Sequence, residues 1–213
     1  MHPSRQTLRR ELRRRRIALP PEERRALAWQ VAARVRHHRL FTAARRIAFY
    51  LPDRGEVDPG PLMQAARAAG KQLYLPVLAP RHPRLLWFMP WTPGERLVPN
   101  RFGIPEPRIR TSLRLPARHL DLVIAPLVGF DRNGHRLGMG GGFYDTTFSH
   151  LNRHRRWHRP RLLGLAYGFQ EVAALPHAPW DVPLDGVATE RELLTWPHRH
   201  ARTDAPHPGD GSP

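Results

Sequence analysis

The segment from Asp131 to Asp145 concentrates residue types that together can hold a phosphate group. Gly138, Gly140, Gly141 and Gly142 fall within five residues, so backbone N–H groups there can approach an anion closely. Arg136 supplies a fixed positive charge suited to phosphate, and Asp145, near the start of the helix expected next, can hold a Mg²⁺ ion that bridges phosphate oxygens. Two familiar glycine-loop chemistries fit badly. A nucleotide P-loop needs Gly-Lys-Ser/Thr, and the sole lysine, Lys71, precedes Gln72. A dinucleotide fingerprint would need its third glycine at position 143, which is Phe. The alternative to a ligand loop is a glycine-rich structural turn. His150, His154 and His158 recur every four residues and could grip a metal, but Arg153, Arg155 and Arg156 surround them and disfavour a cation.

The elements around this loop read as an α/β protein. A helix is expected from about Arg5 to Ala18, with Leu8 and Leu12 on one face, and Pro20 and Pro21 end it. In the second helix Leu27, Val31 and Val35 repeat at i, i+4, i+8, with Glu22 and Glu23 favouring its N-terminus. Strands are expected at 47–51, 72–77, 85–89, 120–126, 162–166 and 187–189, and helices at 61–69 and 143–151. Gly70 is placed as the residue that stops the helix before it. Strands alternating with helices argue for an open, mainly parallel sheet with helices on both faces, preceded by a helical pair over residues 1–46. The glycine loop then lies at the carboxyl end of the 120–126 strand, where such sheets bind ligands. One domain is expected over 1–196, with a disordered Pro-, His- and Gly-rich tail over 197–213.

The 213 residues include 35 Lys+Arg against 18 Asp+Glu, a formal charge of +17. Residues 1–46 hold fourteen Arg and three Glu, a net of +11. Such an arm could hold nucleic acid, anionic lipid or a polyanionic metabolite, or be a helix with Arg on its solvated face. The 40 % hydrophobic content excludes a disordered polyelectrolyte, and the absence of Cys excludes disulfides, thiolate zinc sites and a cysteine nucleophile. The apolar stretch from Leu122 to Phe130 is interrupted by Pro126 and too short to span a bilayer. No secretory signal is apparent, so a cytoplasmic protein with no membrane partner is expected.

Ordered blocks carry a resemblance to a known family over about residues 5–190. They are Leu8-Arg9, Gly55-Glu56-Val57-Asp58, the run Gly70 to Pro76, Gly103-Ile104-Pro105-Glu106-Pro107, and Asp121 to Phe130. Arg136-Leu137-Gly138 through Tyr144-Asp145, Gly164 to Gln170, and Trp180 to Leu184 follow. In these the sequence resembles the 5-formyltetrahydrofolate cyclo-ligases, also called methenyltetrahydrofolate synthetases. The resemblance implies an ATP- and Mg²⁺-dependent cyclisation of 5-formyltetrahydrofolate to 5,10-methenyltetrahydrofolate, releasing ADP and phosphate, by a monomer that needs no nucleic acid. It places Arg5 and Arg9 on nucleotide phosphates or on the folate, and Arg136, Leu137, Gly138, Met139, Gly140, Gly141, Gly142, Phe143 and Tyr144 in the ATP loop. Arg136 and Tyr144 become the catalytic candidates, and Asp145 and Asp181 the Mg²⁺ ligands. Leu51, Glu56, Phe102 and residues Met139 to Phe143 would contact the folate, Glu56 accepting two N–H bonds from the pterin. Without the resemblance, Glu56 reads as a solvated loop carboxylate and Asp181 as a turn residue.

Four positions depart from the family pattern. Arg5 stands where Lys is frequent, Met139 and Gly141 where some members carry basic residues, and Thr146 where Arg is frequent. Phosphate charge must then be met by backbone, Mg²⁺ and Arg136. The rival from another class is a nucleic-acid-binding protein using the basic N-terminal arm, weakened by the lack of aromatic-interleaved basic motifs or a recognition helix.

Overall fold

The computed structural model describes residues 4–153 and 159–196. Its centre is a seven-stranded sheet. In chain order the elements are α1 (Arg5–Ala18), α2 (Pro21–Val35), α3 (Arg39–Thr42), β1 (Arg46–Ala48), α4 (Gly60–Ala68), β2 (Gln72–Leu78), β3 (Leu86–Pro90), β4 (Leu97–Pro99) and β5 (Pro105–Pro107). They continue with β6 (Leu122–Ala125), β7 (Gly129–Phe130), β8 (Arg136–Leu137), α5 (Phe143–Phe148), α6 (His150–Arg153), β9 (Arg161–Leu165), β10 (Gly186–Ala188) and β11 (Leu193–Thr195). The sheet order is β11-β10-β9-β6-β1-β2-β3. Its five central strands are parallel, and β3 and β11 close the two edges antiparallel.

The central strands are apolar on both faces, as a sheet covered on both sides requires. Ile47, Leu122, Ile124, Leu163 and Leu165 point to a core shared with Val31 and Val35 of α2 and with Leu62 and Ala66 of α4. Their neighbours Ala48, Val123, Ala125 and Leu162 face the opposite core, closed by Phe148 of α5 and Leu151 of α6. The expected fold class is therefore the observed one. A third, smaller cluster docks α1: Leu8 and Leu12 pack on Val128, Leu137 and Leu175 at the β7–β8 ribbon.

Differences from the expected elements are local and have local causes. β1 stops at Ala48 because the chain turns away through Pro52 and the left-handed pair Arg54 (φ 48°) and Gly55 (φ 77°). The helix expected over 143–151 divides at Ser149, whose carbonyl accepts the Asn152 N–H in a tighter i to i+3 bond. The stretch expected to run as one loop to residue 145 begins as the β7–β8 hairpin, and its turn holds Gly134 at φ 83°. Asp131 Oδ1 fixes that turn by accepting the Asn133 and His135 N–H groups. Asn133-Gly134 is a hairpin signal in its own right. The β4–β5 ribbon and β11 were not expected. The expected tail, and His154 and His158 of the histidine series, lie outside the described residues.

Candidate active site

The site is built where the parallel strands end. The chain leaving β1 supplies Tyr50, Leu51 and Glu56, the chain leaving β8 supplies the glycine loop, and the chain leaving β9 supplies Tyr167. α1 is laid across all three. Its inward stripe reads Arg5, Leu8, Arg9, Leu12, Arg16, spacings that keep five residues on one helical face. The leucines hold the helix down, and each arginine reaches a different part of the site.

Arg5 Nη1 lies 2.7 Å from Asp181 Oδ2, which also accepts the Ala178 N–H. Burial alone would raise the Asp181 carboxyl, but the Arg5 hydrogen bond and the Ala178 N–H overcome it and hold it below its ordinary value. One turn on, Arg9 Nε donates to Gly138 O at 2.8 Å. Its guanidinium carbon lies 3.7 Å from where a Cβ on Gly140 would stand, so this cation borders the loop directly. Gly140 (φ 100°) and Gly142 (φ 68°) are left-handed, which requires glycine, and a Cβ at Gly141 would stand 2.8 Å from the Phe143 ring.

Arg136 lies beneath the loop rather than in it. It is buried, Nη1 donates to Val182 O at 2.5 Å, and Nη2 pairs with Asp145 Oδ1 at 2.5 Å. Burial lowers its pKa, against the opposing charge of Asp145. Asp145 Oδ1 also accepts the Val182 N–H, so Arg136, Asp145 and the Asp181-Val182 turn form one unit. Asp181 contributes to the field at both Arg9 and Arg136. The cations and carboxylates expected on phosphate and metal are thus brought together by α1, α5 and the turn before Leu184.

Glu56 closes the other end. Its side chain is 9 % exposed, and burial pushes its pKa up to about 7, against the charge of Arg16 and the Asp53 N–H. Tyr144 bridges the two ends. This half-buried phenol feels the Glu56 charge, and the Arg136 guanidinium sits 5.9 Å from its ring centroid. Burial first, then Glu56, hold the phenol neutral far above the usual range. Phe102, 55 % exposed at the tip of the β4–β5 ribbon, meets Phe143 edge to face at 5.9 Å and so joins the loop. Met139 is exposed on the loop, Leu137 is buried against α1, and half-buried Leu51 packs on the α2–α4 core.

Residue-level reading of the sequence missed Arg16, Tyr50 and Tyr167. Arg16 belongs to an arginine run that reads as a solvated face, yet it is 1 % exposed and 3.6 Å from Glu56. Its signal was present: Arg16 follows Leu8 and Leu12 at i+8 and i+4. Tyr50 donates to Val57 O at 2.6 Å and Tyr167 to Glu56 O at 3.4 Å, so both phenols fix the Glu56 loop. Nothing in their spacing announces that. A groove of about 540 Å³ lies elsewhere, at the amino end of β2, lined by Tyr74, Trp91 and Arg110 among others, and includes none of these residues.

Asp145 and Asp181 suit a hard divalent cation. Each uses one carboxylate oxygen for internal bonds, while Asp145 Oδ2 and Asp181 Oδ1 have no hydrogen-bond partner among the described residues. Mg²⁺ keeps several waters and shares phosphate oxygens, so two carboxylates suffice, and no group of three or more His, Asp or Glu is found among the described residues.

An open α/β sheet with cations, carboxylates and a glycine loop at its strand ends defines an enzyme acting on an anionic small molecule. Residues 1–190 match the model of the 5-formyltetrahydrofolate cyclo-ligase family. The chain is 39 % identical to the 5-formyltetrahydrofolate cyclo-ligase of Escherichia coli K12 over 185 residues, covering 87 % of this chain and all of that protein. The Haemophilus influenzae protein of the same name is 41 % identical over 143 residues, 66 % of this chain and 73 % of that one. The solved structure of Aquifex aeolicus 5,10-methenyltetrahydrofolate synthetase superimposes with a TM-score of 0.74 at 30 % identity, covering 93 % of this chain and 99 % of that one. The chain belongs to the 5-formyltetrahydrofolate cyclo-ligase family.

Proposed function

We propose that this protein converts 5-formyltetrahydrofolate to 5,10-methenyltetrahydrofolate in an ATP- and Mg²⁺-dependent ring closure, as a cytoplasmic monomer with its activity within residues 1–196. The single observation that carries the reading is the line of α1. Over the twelve residues from Arg5 to Arg16, about 16 Å of helix, it joins a phosphate- and metal-suited end to a buried carboxylate suited to a pterin.

The chemistry needs alignment more than acid–base power. An N-formyl oxygen is a poor leaving group, but it becomes a good one once it attacks the γ-phosphorus of ATP and ADP departs. N10 then adds to the formyl carbon, loses its proton, and phosphate leaves as the five-membered ring closes. Glu56 holds the pterin through its amidine-like N–H edge, which sets where the formyl oxygen stands. The N–H groups of Gly138 to Gly142, with Arg9 and Arg5, meet the phosphate charge. Phe102, Phe143, Met139 and Leu51 form apolar walls. Arg136 orients Asp145, and the neutral Tyr144 hydroxyl donates a hydrogen bond between the two ligands. Asp145 and Asp181 would hold Mg²⁺, which when bound neutralises charge on the transferring phosphoryl group.

Incubating the protein with 5-formyltetrahydrofolate and MgATP and following the ultraviolet absorbance of the conjugated methenyl product tests the reading. ATP-dependent product is expected; none at high enzyme concentration sinks it. Asp145→Ala and Arg136→Ala should each lower kcat by about 10²-fold or more, with far less effect on the melting midpoint. A folded variant with wild-type turnover removes that residue from the site.

A further inference from the structure

Arg16 is a last-turn cation of α1 and among the most deeply buried of the described side chains, 1 % exposed. Its Nε donates to Arg54 O at 3.1 Å, and its Nη1 donates to Leu127 O at 3.2 Å and lies 3.6 Å from Glu56 Oε1. Its Nη2 is buried with no hydrogen-bond partner among the described residues. As a device for stability this is poor. A guanidinium taken out of water with one nitrogen unsatisfied costs more than an apolar side chain of similar volume.

What the arrangement does is grip the loop that carries Glu56. A Cβ on Gly55 would stand 2.8 Å from Arg16 O, so the loop backbone lies directly on the end of α1. Arg16 then ties that loop, at the Arg54 carbonyl and the Glu56 carboxylate, to Leu127 just beyond β6. Among the described residues, Glu56 Oε1 has Arg16 as its charged neighbour, while Oε2 accepts the Asp53 N–H at 3.2 Å.

We propose that Arg16 is a positioning residue for folate binding: it holds the Glu56 carboxylate as an acceptor for the pterin N–H groups. The proposal rests on the reading of Glu56 as the pterin ligand. The groups facing Glu56 make Arg16 hard to replace. Tyr50 after β1, Tyr144 from α5 and Tyr167 after β9 are phenols, Asp53 in the same loop is an acid, and Arg24 of α2 reaches the loop at Gly55. Burial already pushes Glu56 up to about 7, and Arg16 is the first-ranked influence opposing it. Without Arg16 a larger share of Glu56 is protonated at neutral pH, and a protonated acid turns an O–H donor toward one of the two N–H groups it should accept.

The test is a double-mutant cycle on the full chain, with Arg16→Gln, Glu56→Gln and the pair assayed from pH 6 to 9. Arg16→Gln should raise the folate KM roughly ten- to a hundredfold at pH 7, the equivalent of one to two pKa units, with the MgATP KM changed less than about twofold. Raising the pH to 9 should recover much of that loss, because Glu56 ionises again. In the Glu56→Gln background, adding Arg16→Gln should change the folate KM little, and the pH dependence should vanish. An equal KM increase in both backgrounds, or an increase that pH does not relieve, overturns the proposal in favour of a purely structural Arg16. Glu56→Gln with a wild-type folate KM overturns the pterin reading itself, and the Arg16 proposal with it. Should Arg16→Gln fail to fold, Arg16→Lys carries the same cycle: it keeps the charge and loses the fork, so a smaller KM rise with a near-wild-type pH profile is expected. A wild-type folate KM in a folded Arg16→Lys that has lost the Glu56 coupling overturns it equally.

Discussion

Glu56 sits in a glycine-containing loop where a carboxylate would ordinarily be solvated, yet burial raises its pKa from 4.5 to about 7 against the charge of Arg16 and the Asp53 N–H. The consequence for stability has a definite sign. Between pH 4.5 and 7 the folded protein holds a proton that the unfolded chain releases, so this stabilising contribution is complete below about 4.5 and gone above about 7. Its size is about 3 kcal/mol for a rise from 4.5 to about 7. The stability of the wild type relative to Glu56→Gln should therefore fall by that order between pH 4.5 and 8, measured by denaturant midpoints. A difference that stays flat with pH would mean that Glu56 is solvated. The proposed pterin role accounts for keeping a carboxylate at this cost to the fold. At this scale the sequence was unevenly legible. Gly138 to Gly142 and Asp145 announce phosphate chemistry by type and spacing alone, whereas Glu56 and Asp181 emerge only through family resemblance. Their burial and their partners come from α1 and from distant turns, and no local pattern encodes those contacts.

α1 is the element on which the site depends, and it is held by little. Its apolar anchor is Leu8 and Leu12 against Val128, Leu137 and Leu175, a cluster separate from both faces of the main sheet. Gly129 lets it approach: a Cβ there would stand 2.8 Å from Leu12 Cδ1. Leu12→Ala should cost about 2–4 kcal/mol at this cluster and release the helix before the sheet unfolds. Because α1 carries Arg5, Arg9 and Arg16, the folate and MgATP KM values should both rise while the far-ultraviolet signature of the sheet persists. A rise confined to one ligand would show that α1 is not the common support. The helix and its Leu face were readable from Leu8, Leu12 and the Pro20-Pro21 stop, and the central strands from their apolar runs. The β7–β8 ribbon was not, because strands of two residues have no period to detect. That ribbon turns a presumed single loop into a hairpin followed by a glycine turn, and so places Arg136 under the loop instead of along it.

Across the whole molecule 35 basic residues stand against 18 acidic ones, and two groups of them bear on the site. Arg5, Arg9, Arg16 and Arg136 are committed to the site by named partners, while Arg10, Arg14 and Arg15 on the outer side of α1 are exposed. The exposed charges cannot orient a ligand, but their field extends over a Debye length and draws polyanions toward the strand ends. The proposed substrates, ATP and a folate carrying a glutamate, are both such polyanions. Raising ionic strength from about 0.01 M to 0.5 M shrinks the screening length from about 30 Å to a few Å. The expected result is a fall of about tenfold in kcat/KM for MgATP, with kcat changed less than about twofold. Replacing Arg10, Arg14 and Arg15 together by Gln should flatten that salt dependence and leave kcat alone, since none of the three touches the Arg5–Asp181 or Arg136–Asp145 pairs. A salt-independent kcat/KM would show that the charge serves something other than these substrates. Tight DNA or RNA binding, lost in the same triple variant without loss of turnover, would assign it to the nucleic-acid role that the basic arm first suggests.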